Sequence, residues 1–538
     1  MPGSSRTDVD VVIVGAGFAG LYMLHRVRDV LGLRAVVIEA ADGVGGTWYL
    51  NRYPGARCDS ESYVYCYSFS EELLQEWEWS GKYPRQPEIL AYLRHVAERF
   101  ELLRDIRLGT RVEAARYQDS DGTWRVETSA GDVVTSRFLV TGVGLLAAAP
   151  YTPDIPGLDT FTGECHHTGR WPHEPVDFAG RRVGVIGTGS TGVQAIPVIA
   201  EQAAHLHVFQ RTPQFAVPAR HHTVDRAVLA GIRADYDAIW AKAKWSLSGF
   251  PWQHNGRSAL AATPEEVRRT FEELWEQGGF RFVFGSYRDL LTDIRANDLA
   301  ADFVRDKIRE TVTDPDTAAK LMPFDHPFGG RRPIIDTHYF ETYNHDDVTL
   351  VDLRESPIKE VTPQGIRTTT EDIDLDAIVL ATGFDAVTGP FTRIDITGRD
   401  GVALRREWAD GPSTYLGLAV AGFPNMFMVT GPGATFGNLP VSIEHHVEWI
   451  ASCIEDTLRN GLDVVEARPE AQQDWAEHVR EQADRIVTGP SGSWYDGANI
   501  PGKARSPLFF FGSFGLYRQR CEDVATRGYA GFERRALV

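Results

Sequence analysis

VDVVIVGAGFAGLYMLHRV, from Val9 to Val27, is the stretch that decides the fold. It opens on a β-branched run that reads as a strand. Three glycines follow at Gly15, Gly17 and Gly20, and the residues after them suit a helix. The same grammar returns in RRVGVIGTGSTGVQAIPVIA, from Arg181 to Ala200, with Gly187, Gly189 and Gly192. Two nucleotide-binding βαβ units are therefore expected, and a chain of 538 residues is long enough for two or more domains.

Working outward from these units, the pattern turns helical between about Val224 and Met322. Thr263-Pro264-Glu265-Glu266 is a capping box with Pro at the first helical position. Val267, Phe271, Leu274 and Trp275 follow at helical spacing, and Gly278-Gly279 ends the run. Val304, Ile308 and Val312 continue that period, so residues 224–322 read as a helical insertion into the second unit. The strand-like runs VTLVDL (Val348 to Leu353) and DAIVLATGFD (Asp376 to Asp385) then restore α/β structure. No third glycine triplet follows, so the C-terminal portion is expected to complete the first domain.

The expected fold class is α/β, with two Rossmann-like dinucleotide-binding domains. The first comprises residues 1–145 and 385–538, and the second 146–223 and 323–384.

The charge balance narrows the partners. With 55 Lys and Arg against 74 Asp and Glu, the formal charge of -19 opposes nucleic acid and anionic membrane surfaces, so a bound phosphate must be held by local cations. Five cysteines, Cys58, Cys66, Cys165, Cys453 and Cys521, show no CxxC spacing, which argues against a disulfide framework or a zinc site and fits a reducing cytoplasm. The N-terminus lacks a basic segment followed by an apolar one. The run from Val11 to Leu24 is too short and glycine-interrupted to span a bilayer. No metal site is expected, and the chain is expected to work as a monomer.

The two glycine units differ in one informative place. Glu39 lies 24 residues after Gly15, where a carboxylate accepts hydrogen bonds from ribose hydroxyls, and Arg211, followed by Thr212, lies 24 after Gly187. A carboxylate repels a 2'-phosphate, whereas an arginine pairs with it. The first site is thus expected to hold an unphosphorylated adenosine ribose and the second NADP. Two such sites, with Ala381-Thr382-Gly383 after a hydrophobic run, favour a flavin (FAD) with a nicotinamide donor (NADPH).

Further motifs are more specific. Phe161, Gly163, His167, Trp171 and Pro172 in FTGECHHTGRWP match F-x-G-x3-H-x3-W-P. Gly45, Gly46, Trp48, Tyr53, Pro54, Gly55 and Asp59 match G-G-x-W-x4-Y-P-G-x3-D. On these residues the chain resembles the type I Baeyer-Villiger monooxygenases along nearly its whole length. YCYSFSEELLQEW and VFQRTPQFAVPAR are particularly similar to phenylacetone and steroid monooxygenases, while the loop ATFGNLPV resembles that of the cyclohexanone type.

The resemblance implies an FAD- and NADPH-dependent enzyme that inserts one atom of dioxygen next to a ketone carbonyl, giving an ester or lactone through a peroxyflavin anion, with S-oxidation as a secondary activity. It implies Arg332, in FGGRRPIIDTHYFETYN, as the active-site arginine, with Asp59 as its partner, and Arg331 as a grip on the 2'-phosphate. A permanent guanidinium suits this chemistry because a group that lost its proton would let the peroxide collapse. It also implies cofactor contacts from Gly46, Thr47, Trp48, Tyr65, Thr188, Ser190 and the Trp494 loop (Ser491 to Lys503), and a structural-dynamic role for His167 between domains. Leu145, Leu146, Phe436 and Leu439 are expected to line the ketone pocket.

Three other classes stay open on residues alone: an N- or S-oxygenating flavin enzyme, a flavin-bearing sensor, and a disulfide reductase, the last lacking a close cysteine pair. The natural ketone, whether cyclic, aryl or steroid, is not legible.

Overall fold

The computed structural model describes residues 7–146, 149–487 and 492–537. It is a mixed α/β fold organised on two sheets in which parallel pairing dominates the centres. In the first sheet the strand Val9–Val14 lies between Ala35–Ile38 and Val133–Thr141, parallel to both. A strand paired on both sides and covered on both faces needs apolar residues along its buried run, which Val11-Val12-Ile13-Val14 supplies, with all four buried. Alternate side chains serve opposite faces: Val11, Ile13 and Val37 enter one core, while Val12, Val14, Val36 and Ile38 enter another.

The far C-terminal half contributes to this same sheet. The strand Met426–Met428 pairs with Val133–Thr141, and Asp395–Thr397 pairs with Val112–Gln118. The long helix Leu439–Arg459 packs its buried face, including Val447, Ile450 and Ile454, on the first core.

The second sheet is parallel throughout. Its order is Val348–Asp352, His205–Gln210, Arg182–Ile186, Ala377–Leu380, Glu164–His167. The runs expected from VTLVDL and DAIVLATGFD are thus an edge strand and an inner strand, and the stretch from Glu164 to His167 forms the other edge.

Between 224 and 322 the described structure is helical. The helix Pro264–Gln277 has the capping box of Thr263 and Glu266 with Pro264 at its start, and it ends at Gly278 in a positive-φ conformation. Val304 and Ile308 lie buried in the helix Ile294–Thr311, and Val312 caps it. Packing divides this segment. Phe271, Phe303 and Ile308 join the core of the second sheet, whereas Tyr236, Trp240 and Ala243, spaced to share one helix face, join the core of the first. Among the described residues no helix is long and apolar enough to cross a membrane, and all five cysteines are unpaired.

Candidate functional site

The carboxyl ends of strands from both sheets converge on one chamber of about 1140 Å³. That exceeds the roughly 300–1,000 Å³ of a typical single-ligand pocket, and open α/β sheets place their ligands at this end.

The two glycine turns in its wall are geometric copies. Gly15 and Gly187 have φ of +99° and +107°, and a Cβ at either would come within 2.6 and 2.5 Å of the carbonyl oxygens of Gly142 and Ala381. Gly20 and Gly192 let each helix close on its own turn, since a Cβ there would lie 1.7 and 2.2 Å from the oxygens of Gly15 and Gly187. Gly17 and Gly189 precede the helices Phe18–Leu24 and Ser190–Ala200 without side-chain caps. The uncapped amides therefore remain for an anion. Around Gly189 a Cβ would meet nothing within 4 Å, so the turn opens onto space rather than packed atoms.

Glu39 lines the chamber beside the first turn. Its two carboxylate oxygens accept from the N–H groups of Ala16 (2.6 Å) and Ala41 (2.8 Å), which braces the first turn. Burial raises its pKa, and those N–H groups oppose the rise. Each oxygen keeps a lone pair for a ribose hydroxyl. Gly46 packs against Gly17, Thr47 begins the helix Thr47–Leu50, and Trp48 Nε1 donates to Tyr65 Oη at 3.2 Å, fixing both rings in the wall.

At the second turn Thr188 Oγ1 donates to the carbonyl of Thr212 (3.1 Å), holding the end of the His205–Gln210 strand on the glycine loop. Thr188, Ser190, Arg211, Thr212 and Arg331 all line the chamber. Among the described residues neither Arg211 nor Arg331 has an ion-pair partner, and Arg331 Nε is buried without a hydrogen bond. A pair of guanidiniums without ion-pair contacts, one of them with an orphaned N–H, is a donor set for a phosphate. The residues present thus fit FAD at the first turn and NADP at the second.

Arg332 Nη1 donates to Asp59 Oδ2 at 2.5 Å, so the two residues singled out in the sequence meet, and both line the chamber. Burial works against the guanidinium's charge, but Asp59, with smaller contributions from Tyr495 and Cys58, outweighs it, and the pKa stands above the ordinary arginine value. Its carbon lies 5.1 Å from the Phe280 ring centre, a cation–π contact from the helical segment.

Leu145, Leu146, Phe436, Leu439 and Trp494 gather with Val387 and Phe509 in one apolar cluster, with Phe436 and Trp494 edge to face at 5.7 Å. The described part of the Trp494 loop is held by Asn499 Nδ2 donating to the Phe384 carbonyl (2.8 Å). Lys503 Nζ adds bonds to Asp385 Oδ1 (2.6 Å) and to the Ala386 carbonyl (2.9 Å). Ser491 lies outside the described residues.

Phe161, Gly163, His167, Trp171 and Pro172 stand back from the chamber. His167 Nδ1 accepts from Gly169 N–H, so Nε2 carries the hydrogen and donates to the Tyr151 carbonyl at 3.0 Å; Thr382 Oγ1 donates to that same carbonyl. Burial lowers the pKa of His167, which favours this neutral form. The histidine therefore locks the 150–151 crossover to the Ala381-Thr382-Gly383 turn; it does not itself line the chamber, but its partners Tyr151, Gly169 and Thr382 do. Trp171 packs into the core of the second sheet.

Sequence reasoning missed Gln194, Phe280, Asp385 and Lys503. Gln194 had a readable address, two residues past the third glycine of the second unit, but nothing local showed that its side chain crosses to Asp59.

A family model described as flavin-binding monooxygenase-like matches residues 8–221. A Baeyer-Villiger monooxygenase of Pseudooceanicola batsensis is 45% identical over 98% of this chain and 96% of its own length. A phenazine N-monooxygenase of Lysobacter antibioticus is 44% identical over 98% and 97%. A crystal structure of OTEMO in complex with FAD and NADP, 43% identical, superposes with a TM-score of 0.95 over 98% of this chain and all of that one.

Proposed function

The chain belongs to the Baeyer-Villiger monooxygenases, and from that membership we propose a division of labour among the residues of its chamber. The protein is a flavin-dependent NADPH monooxygenase that oxidises ketones to esters or lactones. When bound, FAD reduced by NADPH activates dioxygen, which supplies the inserted atom.

The first glycine unit (Gly15, Gly17, Gly20) with Glu39 holds the FAD pyrophosphate and adenosine ribose, and Gly46, Thr47, Trp48 and Tyr65 close that side. The second (Gly187, Gly189, Gly192), with Thr188, Ser190 and Thr212, holds NADP, and Arg211 and Arg331 grip its 2'-phosphate. The corresponding domains are 1–145 with 385–538, and 146–223 with 323–384, the second carrying 224–322 as a helical insertion. One chain supplies both sites, so the monomer is the working unit.

Arg332 carries a positive charge that no working pH removes, and it stabilises negative charge on oxygen as the carbonyl is attacked. Asp59 fixes where that charge sits. Phe436, Leu439, Leu145 and Leu146 exclude water and shape the ketone space, and Trp494 covers it. His167 holds the crossover between the two units.

The observation that carries this reading is the Arg332–Asp59 pair, which stands in the wall of the chamber that both glycine turns enter. Arg332→Ala is expected to leave NADPH-dependent flavin reduction near the wild-type rate. Ester formation should fall by more than about a hundredfold, from loss of about 3 to 4 kcal/mol of oxyanion stabilisation. Normal ester yield from that variant refutes the assignment.

The 44% identity to a protein named for phenazine N-oxidation favours a second reading, oxygenation of aromatic nitrogen in the same chamber. Ketones and phenazines supplied side by side separate the two by product mass.

A further inference from the structure

Asp59 has two carboxylate oxygens, and Arg332 takes only one of them. The other, Oδ1, accepts from Gln194 Nε2 at 3.0 Å. Gln194 is the fifth residue of the helix Ser190–Ala200, which starts at the second glycine turn. A side chain of the second sheet's helix therefore holds the carboxylate that holds the arginine.

The orientation of this amide is settled by its neighbours. Arg57 N–H, which can only donate, points at Gln194 Oε1 (3.3 Å). The Arg57 carbonyl, which can only accept, receives Nε2 (3.2 Å). Tyr53 Oη donates to Oε1 at 2.8 Å. With the oxygen placed by a backbone donor, the amide nitrogen must face Asp59. The backbone is locked as firmly: Gly55 has φ of +80°, and a Cβ there would lie 2.1 Å from the Gln194 carbonyl oxygen. The segment Tyr53–Asp59 is thus fitted onto this one turn of helix by side chain and main chain together.

The consequence concerns Arg332. A free carboxylate facing a guanidinium tends to chelate it through two parallel bonds. With Oδ1 engaged by Gln194, Asp59 makes a one-point contact with Nη1, the one hydrogen bond Arg332 has among the described residues. Its other N–H donors stay free for the chamber.

We propose that Gln194 is a positioning residue for the oxygenation step: it occupies Asp59 Oδ1, restricts Asp59 to a single-point hold on Arg332, and ties that geometry to the docking of the NADP-side helix. Without it, Asp59 turns and takes up donors that the reacting oxygen needs. The inference rests on the function proposed above.

The test uses the FAD-loaded enzyme with NADPH, air and the ketone that the wild type turns over fastest. Gln194→Met keeps the length and removes every hydrogen bond of the amide. Gln194→Glu, assayed at pH 9 where the new carboxyl is ionised, keeps an acceptor for Arg57 N–H and offers Asp59 no donor. In both, NADPH oxidation and KM for NADPH are expected to stay within about threefold of wild type. Ester formed per NADPH should drop about tenfold, the effect of losing one hydrogen bond to a charged group. The balance should appear as hydrogen peroxide, formed from dioxygen with two electrons and a proton from NADPH and one proton from solvent.

Hydrogen exchange supplies a readout independent of turnover: the Arg57 amide should lose protection in the Met variant and keep it in the Glu variant. A wild-type ester-to-peroxide ratio in either variant overturns the proposal. So does a proportional fall of NADPH oxidation and ester together, which marks a merely structural role. Absence of ester from the wild-type enzyme with every ketone would instead overturn the functional reading on which this inference depends.

Discussion

Removing the cations at the second glycine turn should cost the enzyme its preference for NADPH over NADH, and the structure sets how much each contributes. Arg211 follows the strand His205–Gln210 and is exposed, so its attraction to a phosphate is screened by water and salt. Arg331 is half-buried, has an orphaned Nε, and its pKa is lowered by burial, with nearby Arg211 adding to the fall and Asp325 opposing it. It stays charged at any working pH, but in a place where a phosphate is its natural partner.

A hydrogen bond to a charged group contributes about 1.5–3 kcal/mol. The exposed Arg211 belongs at the lower end and the enclosed Arg331 at the upper. At about 1.4 kcal/mol per tenfold, Arg211→Ala should raise KM for NADPH about tenfold and Arg331→Ala about a hundredfold. NADH, which lacks the phosphate, should show KM changes under about threefold, and kcat at saturating NADPH should hold. Initial-rate kinetics with both nucleotides at two salt concentrations measure this, with the Arg211 effect shrinking more in high salt. Equal increases for NADPH and NADH would refute the reasoning, because they would mean that the arginines support the fold or the shared part of the nucleotide.

Two further outcomes follow from the packing. Glu444 accepts from the N–H and Oγ of Ser68, yet burial pushes its pKa up from 4.5 to about 7. The folded state therefore holds this proton more tightly than the unfolded chain. Its stabilising effect is full below about pH 4.5 and is lost as pH rises through about 7, a difference of up to about 3 kcal/mol. Glu444→Gln should flatten the fall in melting temperature between pH 5 and 8, and an unchanged slope would refute the assignment. Lys503→Met removes the clasp to Asp385 and the Ala386 carbonyl that holds the Trp494 loop. The dissociation constant for NADP, read by calorimetry on the FAD-loaded enzyme, should rise roughly fivefold to twentyfold, as one partly buried charged bond contributes. An unchanged constant would separate the clasp from nucleotide retention.

The glycine turns were legible because their geometry is local. Gly15 and Gly187 need positive φ within a few bonds, and Gly20 and Gly192 need to approach their own turns, so a single residue type at fixed spacing records the constraint. The capping box at Thr263 was legible for the same reason. The helical period of residues 236–243 was equally plain, but which core it fills was not: periodicity says that Tyr236, Trp240 and Ala243 share a face without saying what covers it.

By its own order of residues the chain determined the two strand–turn–helix units, the opposite charges of Glu39 and Arg211 at equivalent steps, and the Arg331-Arg332 pair. Only the tertiary structure decided that Arg332 meets Asp59 from 273 residues away, and that Gln194 of the other unit's helix holds the second oxygen of that carboxylate. The physical reason is one of range. Backbone dihedrals and helix caps act over a few residues and leave a mark in sequence, whereas the partner of a charged side chain is set by how two sheets dock, which depends on the whole buried surface at once.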